Sequence, residues 1–205
     1  RFVIEMLKDI NNGSASSISY ESFLTAVGNT LYFTATDGTN GYELWKSDGT
    51  SSGTMMLKDI SSGSGSSSPT DLTAVGSTLY FEAYDTTNGR ALWKSDGTAS
   101  GTVMVKDVYS GSGTSSPLDD LTAVGNTLYF RAYDTTNGYE LWKSDGTASG
   151  TVMVKDINPT SNNSGNSNPQ HLTDICGTLY FTAGDGTNGT ELWKSDGTTS
   201  GTTMV

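Results

Sequence analysis

The sequence has few of the residues from which disulfides, metal centres and membrane spans are built. Its 205 residues include one cysteine, Cys176, and one histidine, His171. An internal disulfide and a metal site made of several cysteines are therefore excluded. No segment approaches the roughly 18 consecutive apolar residues of a membrane-spanning helix, so we expect no membrane insertion.

Positive charge is also scarce. The sequence contains eleven Lys and Arg residues and 22 Asp and Glu residues, which gives a net charge of −11. Such a chain repels phosphate backbones and anionic lipids, and we expect no nucleic-acid partner. Apolar residues make up only 34% of the sequence. They occur in short runs of β-forming residues between clusters of Gly, Ser, Thr, Asn and Asp, a pattern typical of short strands and many turns.

One sequence unit occurs four times and covers the whole chain. Its most regular part is Leu-Trp-Lys-Ser-Asp-Gly-Thr, which a Thr-Leu-Tyr-Phe string precedes in every copy. The repeat is about 50 residues long, within the range of propeller blades. The tryptophans of the four copies are Trp45, Trp93, Trp142 and Trp193.

Each unit predicts four short antiparallel strands. In the third copy the predicted strands are Leu121 to Val124, Thr127 to Tyr133, Tyr139 to Ser144 and Thr151 to Ile157. Turn residues separate them, so three hairpins in succession form a meander.

Both faces of such a sheet carry apolar side chains, because neighbouring residues of a strand point to opposite sides. Each sheet must therefore be covered by the next, which predicts an all-β β-propeller with four tandem four-stranded antiparallel blades. The alternative is another stacked β architecture. We expect a single repeat domain over residues 1–205. Its predicted blades are 19–60, 71–108, 120–157 and 171–205.

Residues 1–10 match the fourth strand of the unit and form an extra strand-like segment. We favour an interpretation in which this segment closes the ring beside the last blade. The other interpretation is a longer array from which this chain is one part, with open strand edges. Arg1 to Glu5 do not resemble a signal peptide, so we expect any export signal to lie outside this chain.

The segment Glu43 to Thr54 resembles the ELWxxDGT tandem repeats of secreted or surface-attached bacterial proteins. The match recurs at Glu140 to Thr151 and Glu191 to Thr202, whereas the second copy departs from it at Arg90 and Ala91. The resemblance implies a kelch-like propeller and an extracellular or cell-surface location. It implies no established activity and no catalytic residues.

The copies offer little catalytic chemistry. His171 and Cys176 break the repeat, but five strand residues separate them by about 16 Å, which is too far for a catalytic pair. We interpret them as a surface histidine and a turn cysteine. Asp48 is expected to cap its turn, and Lys46 to be solvated or paired with a neighbouring carboxylate. These considerations predict that the protein is not an enzyme.

The loop between the second and third strands holds the candidate binding residues. One aspartate per loop predicts a turn or, alternatively, a weak calcium site, and no other cofactor is expected. The aspartates are Asp37, Asp85, Asp134 and Asp185. Nearby Tyr and Asn side chains are suited to stacking on sugars and bonding their hydroxyls. These candidates are Tyr42, Tyr84, Tyr133, Tyr139, Asn40, Asn88, Asn137 and Asn188.

The sequence therefore predicts a non-enzymatic extracellular recognition or adhesion module. Repeated weak sites would bind a glycan or another surface polymer with avidity, as in a lectin. The alternative is a structural subunit of an extracellular filament or surface layer, which self-associates by pairing blade edges.

Overall fold

The computed structural model describes residues 6–18, 24–109, 118–159 and 165–205. Sixteen strands form four sheets in this part of the chain. Blade 1 contains β1 Leu24–Val27, β2 Thr30–Ala35, β3 Glu43–Ser47 and β4 Met55–Lys58. Blade 2 contains β5 Thr70–Val75, β6 Thr78–Asp85, β7 Gly89–Ser95 and β8 Val103–Lys106. Blade 3 contains β9 Asp119–Val124, β10 Thr127–Asp134, β11 Gly138–Ser144 and β12 Val152–Lys155. Blade 4 contains β13 Gln170–Ile175, β14 Thr178–Gly184, β15 Thr190–Ser195 and β16 Thr203–Met204.

Every sheet is an antiparallel meander in which strands pair in sequence order. The prediction of an all-β propeller with four four-stranded blades is confirmed. The predicted strands of blade 3 agree with the observed ones to within two residues, and only the fourth strand is markedly shorter, at Val152–Lys155. The described part of the chain has no helix long and apolar enough to cross a membrane.

Each blade packs against the next through two different faces. The leading face is formed by the tyrosine of the second strand, the leucine of the third and an apolar residue of the fourth; in blade 1 these are Tyr32, Leu44 and Leu57. The receiving face is formed by the phenylalanine and tryptophan of the next blade, Phe81 and Trp93 in blade 2. The same arrangement joins blades 2 and 3 and blades 3 and 4. All four tryptophans are buried.

Lysines extend from one blade to the next. Lys46 Nζ donates to Gly97 O at 2.8 Å, and Lys58 Nζ donates to Thr102 O at 2.7 Å. Lys58 also lies over the ring of Trp93, with 5.9 Å between Nζ and the ring centroid. The expectation that Lys46 is solvated or paired with a carboxylate is therefore wrong, because its acceptor is a backbone carbonyl of the neighbouring blade.

The Asp-Gly-Thr turn has the structure that the sequence predicts. Asp48 Oδ1 accepts hydrogen bonds from the backbone N–H and the hydroxyl of Thr50, at 2.9 and 2.7 Å. In every copy a glycine follows this aspartate. In blade 2 that glycine is Gly97, and two observations show why a larger residue does not fit there. Gly97 has a φ of +89°, and a Cβ placed there would lie 2.6 Å from the hydroxyl of Tyr32.

The inner strands β1, β5, β9 and β13 contact one another in this order, and no comparable contact joins β13 to β1 among the described residues. Lys8 Nζ donates to Thr54 O at 2.6 Å, as Lys58 does to Thr102 O. The described N-terminal residues therefore lie on the receiving face of blade 1. Closure of the ring beside the last blade stays a prediction.

Candidate functional site

The four predicted loop aspartates bind their own loops. Asp134 Oδ1 accepts hydrogen bonds from the N–H groups of Thr136 and Asn137, both at 2.7 Å, and the Asn137 side chain donates to Asp134 Oδ2 at 2.9 Å. The other three loops repeat this arrangement with the pairs Asp37–Asn40, Asp85–Asn88 and Asp185–Asn188. The N–H donors of Asn188 and Thr187 hold the pKa of Asp185 below its ordinary value.

The loops thus have the predicted turn structure. In the part of the chain that the structure describes, no group of three or more His, Cys, Asp or Glu residues could hold a metal ion. Each loop supplies one carboxylate, and its oxygens already accept N–H groups. Weak calcium binding stays a prediction.

The structure brings two of the four predicted tyrosines together. The ring centroids of Tyr133 and Tyr139 lie 5.1 Å apart, and Tyr109 lies 5.8 Å from Tyr133. The guanidinium of Arg131 lies over the Tyr139 ring at 4.8 Å. Tyr42 and Tyr84 stand at the corresponding positions of blades 1 and 2, outside this cluster. We call Tyr109, Tyr133 and Tyr139 the tyrosine cluster.

Beside Arg131 lies a polar cavity of about 360 Å³, which we call the acidic pocket. It forms where the inner strands of blades 2, 3 and 4 begin, and Arg131 of β10 completes its wall. The lining residues are Asp71, Asp119, Asp120, Arg131, Gln170 and His171.

The backbone of the inner strands is irregular where it lines the acidic pocket. Asp71, Asp120 and His171 occupy the same repeat position, and their φ values are +53°, +58° and +59°. The pairing register with the second strand shifts beside each of them. Such bulges turn side chains away from the regular strand direction and are common next to active sites. His171 is exposed, as predicted, but it is also a pocket residue.

Hydrogen bonds fix two of the three pocket carboxylates. Arg131 Nε donates to Asp119 Oδ1 at 2.6 Å, while its Nη2 donates to Asp119 Oδ2, so both carboxylate oxygens are engaged. Asp120 Oδ2 accepts the backbone N–H of His171 at 2.8 Å. Burial and the charges of Asp119 and Asp120 raise the pKa of Asp71 to about 6.

A fourth carboxylate lies in the blade 2 sheet. Glu82 is buried and forms a 2.9 Å ion pair with Arg90 of the neighbouring strand. Burial raises the pKa of Glu82 to about 7. The positive charge of Arg90 lowers this pKa, and the negative charges of Asp71 and Asp119 raise it further. Glu82 is therefore electrostatically coupled to the acidic pocket.

Sequence reasoning missed Glu82 and Arg131, although a signal was present. Both stand where the repeat has Thr34 in blade 1 and Thr182 in blade 4. A charge at a position that is otherwise threonine breaks the repeat as clearly as His171 does. Inspection of that position across all four copies would have identified both residues.

No protein-family model matches the chain, and no curated protein matches it. Solved structures do show similarity. An endo-1,4-beta-xylanase from Bacteroides thetaiotaomicron is 17% identical, with a TM-score of 0.38 over 93% of this chain and 72% of that one. An alpha-L-arabinofuranosidase from Clostridium thermocellum is 13% identical, with a TM-score of 0.39 over 90% and 71%. An alpha-L-arabinofuranosidase from Podospora anserina, solved with cellotriose, is 14% identical, with a TM-score of 0.39 over 91% and 66%.

These neighbours contradict the prediction of a non-enzymatic recognition or adhesion module and its alternative, a structural subunit. Each is named as an enzyme that acts on glycans, so we abandon both the module and the statement that the chain is not an enzyme. Similarity at this level does not assign an activity or a substrate to this chain.

Proposed function

We propose that the protein hydrolyses glycosidic bonds of a glycan at the acidic pocket. The observation that carries this proposal is the different environment of two neighbouring carboxyl groups, Asp71 and Asp120. Glycoside hydrolysis generally uses a pair of carboxyl groups, of which one donates a proton and the other activates a water molecule or attacks the sugar. Burial and neighbouring charge raise the pKa of Asp71, which suits it to donate the proton.

Asp71 is the general acid of the proposed reaction. With a pKa of about 6, about half of the group is protonated at pH 6 and about a tenth at pH 7. Its proton passes to the glycosidic oxygen as the bond from that oxygen to the anomeric carbon breaks. The protonated leaving group then departs as a neutral hydroxyl.

Asp120 is the general base. Its hydrogen bond to the His171 N–H orients the carboxylate but engages only one oxygen. The base takes a proton from a water molecule as that water adds to the anomeric carbon. Asp119 is less suitable, because Arg131 occupies both of its oxygens. Direct attack by this water inverts the configuration at the anomeric carbon.

The tyrosine cluster provides a binding surface beside the proposed catalytic groups. Arg131 links the two, because it binds Asp119 and lies over the Tyr139 ring. Aromatic rings stack on the apolar face of a pyranose. A polymeric glycan outside the cell is the substrate class that we propose.

The proposal is tested by incubating the purified chain with xylan, arabinoxylan and galactan and measuring the release of reducing sugar. Hydrolysis of at least one polymer is expected. Asp71→Asn and Asp120→Asn should each lower the rate by about 10²- to 10⁴-fold, the usual contribution of general acid–base catalysis. Asp174→Asn is the matched control, since Asp174 lies at the other end of β13 and caps a turn through Gly177 N–H.

Release of sugar by the wild type and by Asp174→Asn, with loss in both pocket variants, would support the assignment. Wild-type rates in Asp71→Asn would contradict it. Complete absence of hydrolysis over the three polymers would overturn the proposed activity.

A further inference from the structure

The contact between successive blades is made by the same groups three times. A cross-strand pair of tyrosine and lysine on the leading face reaches the Asp-Gly-Thr turn of the next blade. In blade 1, Tyr32 is paired with Lys46, and both approach Gly97. Gly146 and Gly197 occupy the same place in the two later contacts, where they accept hydrogen bonds from Lys94 and Lys143 at 2.8 Å.

Blade 4 has a leading face that nothing covers in the described part of the chain. Leu192 is 47% exposed, whereas Leu141, its counterpart in blade 3, is 0% exposed. Val205 is 69% exposed, and its counterpart Val154 is 4% exposed. The tyrosine–lysine pair is also present, as Tyr180 and Lys194. A complete blade contact therefore lacks its partner.

Blade 1 has the opposite deficiency, an incomplete receiving face. Leu24 is 63% exposed, whereas Leu72 in blade 2 is 6% exposed. No atom of the described residues lies within 4 Å of the Cβ position of Gly49, although the tyrosine of the preceding blade fills that place at Gly97. An apolar cavity of about 180 Å³ lies between this face and the N-terminal segment. The face contributes Leu24, Leu31 and Phe33 to its lining, and the segment contributes Leu7, Ile10 and Ile18.

The N-terminal residues fill only the outer part of this face. Lys8 takes the place of a fourth-strand lysine, and Ile10 packs with Phe33 and Trp45. Among the described residues, none fills the positions that the second and third strands of a preceding blade would take. The cavity borders this gap, where the tyrosine and leucine of a preceding blade would insert.

We propose that the leading face of blade 4 docks on the receiving face of blade 1 in a second copy of this chain. Tyr180 and Lys194 reach the Gly49 turn of that copy. Leu192 packs on Leu24, Leu31 and Phe33, as its counterpart Leu44 packs with Leu72, Leu79 and Phe81 of blade 2. The contact continues the interface that already joins blades 1 to 4. Val205 and Leu7 correspond to one repeat position, so residues 6–10 move aside as the copies dock.

Two different faces meet in this contact, so it is heterologous and joins copies head to tail. The contact is made by blade faces and does not require pairing of strand edges. It goes beyond the proposed hydrolysis, because none of its residues lines the acidic pocket. Its failure and the failure of the proposed activity are therefore measured separately.

Sedimentation velocity over a range of micromolar concentrations tests the proposal. The wild type is expected to form dimers or larger species as its concentration rises. Leu192→Asp places a charge on the leading face of blade 4, and Leu24→Asp places a charge on the receiving face of blade 1. Each substitution should weaken association about tenfold or more. Met55→Asp is the matched control, because Met55 is 45% exposed and lies on the other face of blade 1.

Mixing the two variants gives the sharpest result. Leu192→Asp keeps an intact receiving face and Leu24→Asp keeps an intact leading face, so an equimolar mixture should form heterodimers and nothing larger. Circular dichroism establishes that both variants stay folded. A wild type that is monomeric at every concentration would overturn the proposal, as would a mixture that stays monomeric while the wild type associates.

Discussion

Burial divides the carboxyl groups of the acidic pocket into two kinds. Asp71 has lost much of its hydration and has neighbours of the same charge, so it retains its proton more readily than an exposed aspartate does. Asp119 differs from Asp71 in that the guanidinium of Arg131 binds both of its oxygens. The protein therefore places a proton donor, Asp71, beside two further carboxyl groups that hydrogen bonds hold in place.

This division predicts a pH dependence for glycan hydrolysis. Asp71 donates a proton only in its neutral form, and that form declines as the pH rises through about 6. The rate on a natural polymer should therefore fall above about pH 6, by close to tenfold per pH unit well above it. An initial-rate profile from pH 5 to pH 8 measures this. A rate that rises throughout this interval would exclude Asp71 as the acid.

At the scale of single residues, Glu140 also contributes to stability. Its buried carboxylate accepts the N–H groups of Ile157 and Ser167, at 2.9 and 3.1 Å, and so holds the link between blades 3 and 4. Glu140→Ala leaves these donors without acceptors and should lower the free energy of unfolding by about 2 to 4 kcal/mol. Urea denaturation measures the change.

Glu191 is the control for that substitution. It occupies the same repeat position in blade 4, where it is exposed. Glu191→Ala should leave the denaturation midpoint almost unchanged. Equal effects of the two substitutions would show that the hydrogen bonds of Glu140 contribute little.

At the scale of the structural elements, the Asp-Gly-Thr turn requires glycine for two reasons. One is the positive φ of its backbone, and the other is its contact with the preceding blade. Gly49 and Gly146 have nearly the same backbone, with φ values of +87° and +88°. A Cβ on Gly49 would meet no atom of the described residues within 4 Å, whereas one on Gly146 would lie 2.3 Å from the hydroxyl of Tyr80. The two sites therefore separate the cost of backbone strain from the cost of a clash between blades.

Gly49→Ala should destabilise the protein by about 1 to 2 kcal/mol through backbone strain alone. Gly146→Ala should cost about 1 to 3 kcal/mol more, because the Tyr80 ring must move in a packed interface. Thermal unfolding followed by circular dichroism gives both values. Adding Tyr80→Phe to Gly146→Ala removes the clashing oxygen and should recover part of the extra cost. Equal losses of stability in Gly49→Ala and Gly146→Ala would show that the contact with Tyr80 adds no cost.

The strands and turns could be predicted from the sequence because their causes are local. Alternating apolar residues define the strands, and Asp48 with its glycine defines the turn. The acceptor of Lys46 could not be predicted, since it is a backbone carbonyl some 50 positions away that no residue type marks. The acidic pocket was missed for a related reason. Asp71 and Asp120 look like ordinary repeat residues until stacking brings the inner strands together.

At the scale of the whole molecule, the blades form a row in which each covers its neighbour. Stability in such an array is close to a sum of unit and interface terms. Blades 2 and 3 each have a neighbouring blade on both faces. Blade 4 has a blade on its receiving face alone, among the described residues, and its leading side chains Leu192 and Val205 are exposed. The strands of blade 4 should therefore open more readily than those of blade 3.

Hydrogen exchange measured by mass spectrometry tests this difference between blades. At low protein concentration, peptides from β14 and β15 should exchange faster than the corresponding peptides of β10 and β11, because fewer buried contacts oppose their opening. At high concentration the docking of a second copy on blade 4 should slow exchange in β14 and β15 and leave β10 and β11 unchanged. Leu192→Asp should abolish the dependence on concentration but not the difference between the blades. Equal protection of blades 3 and 4 in dilute solution would show that the uncovered leading face does not weaken blade 4.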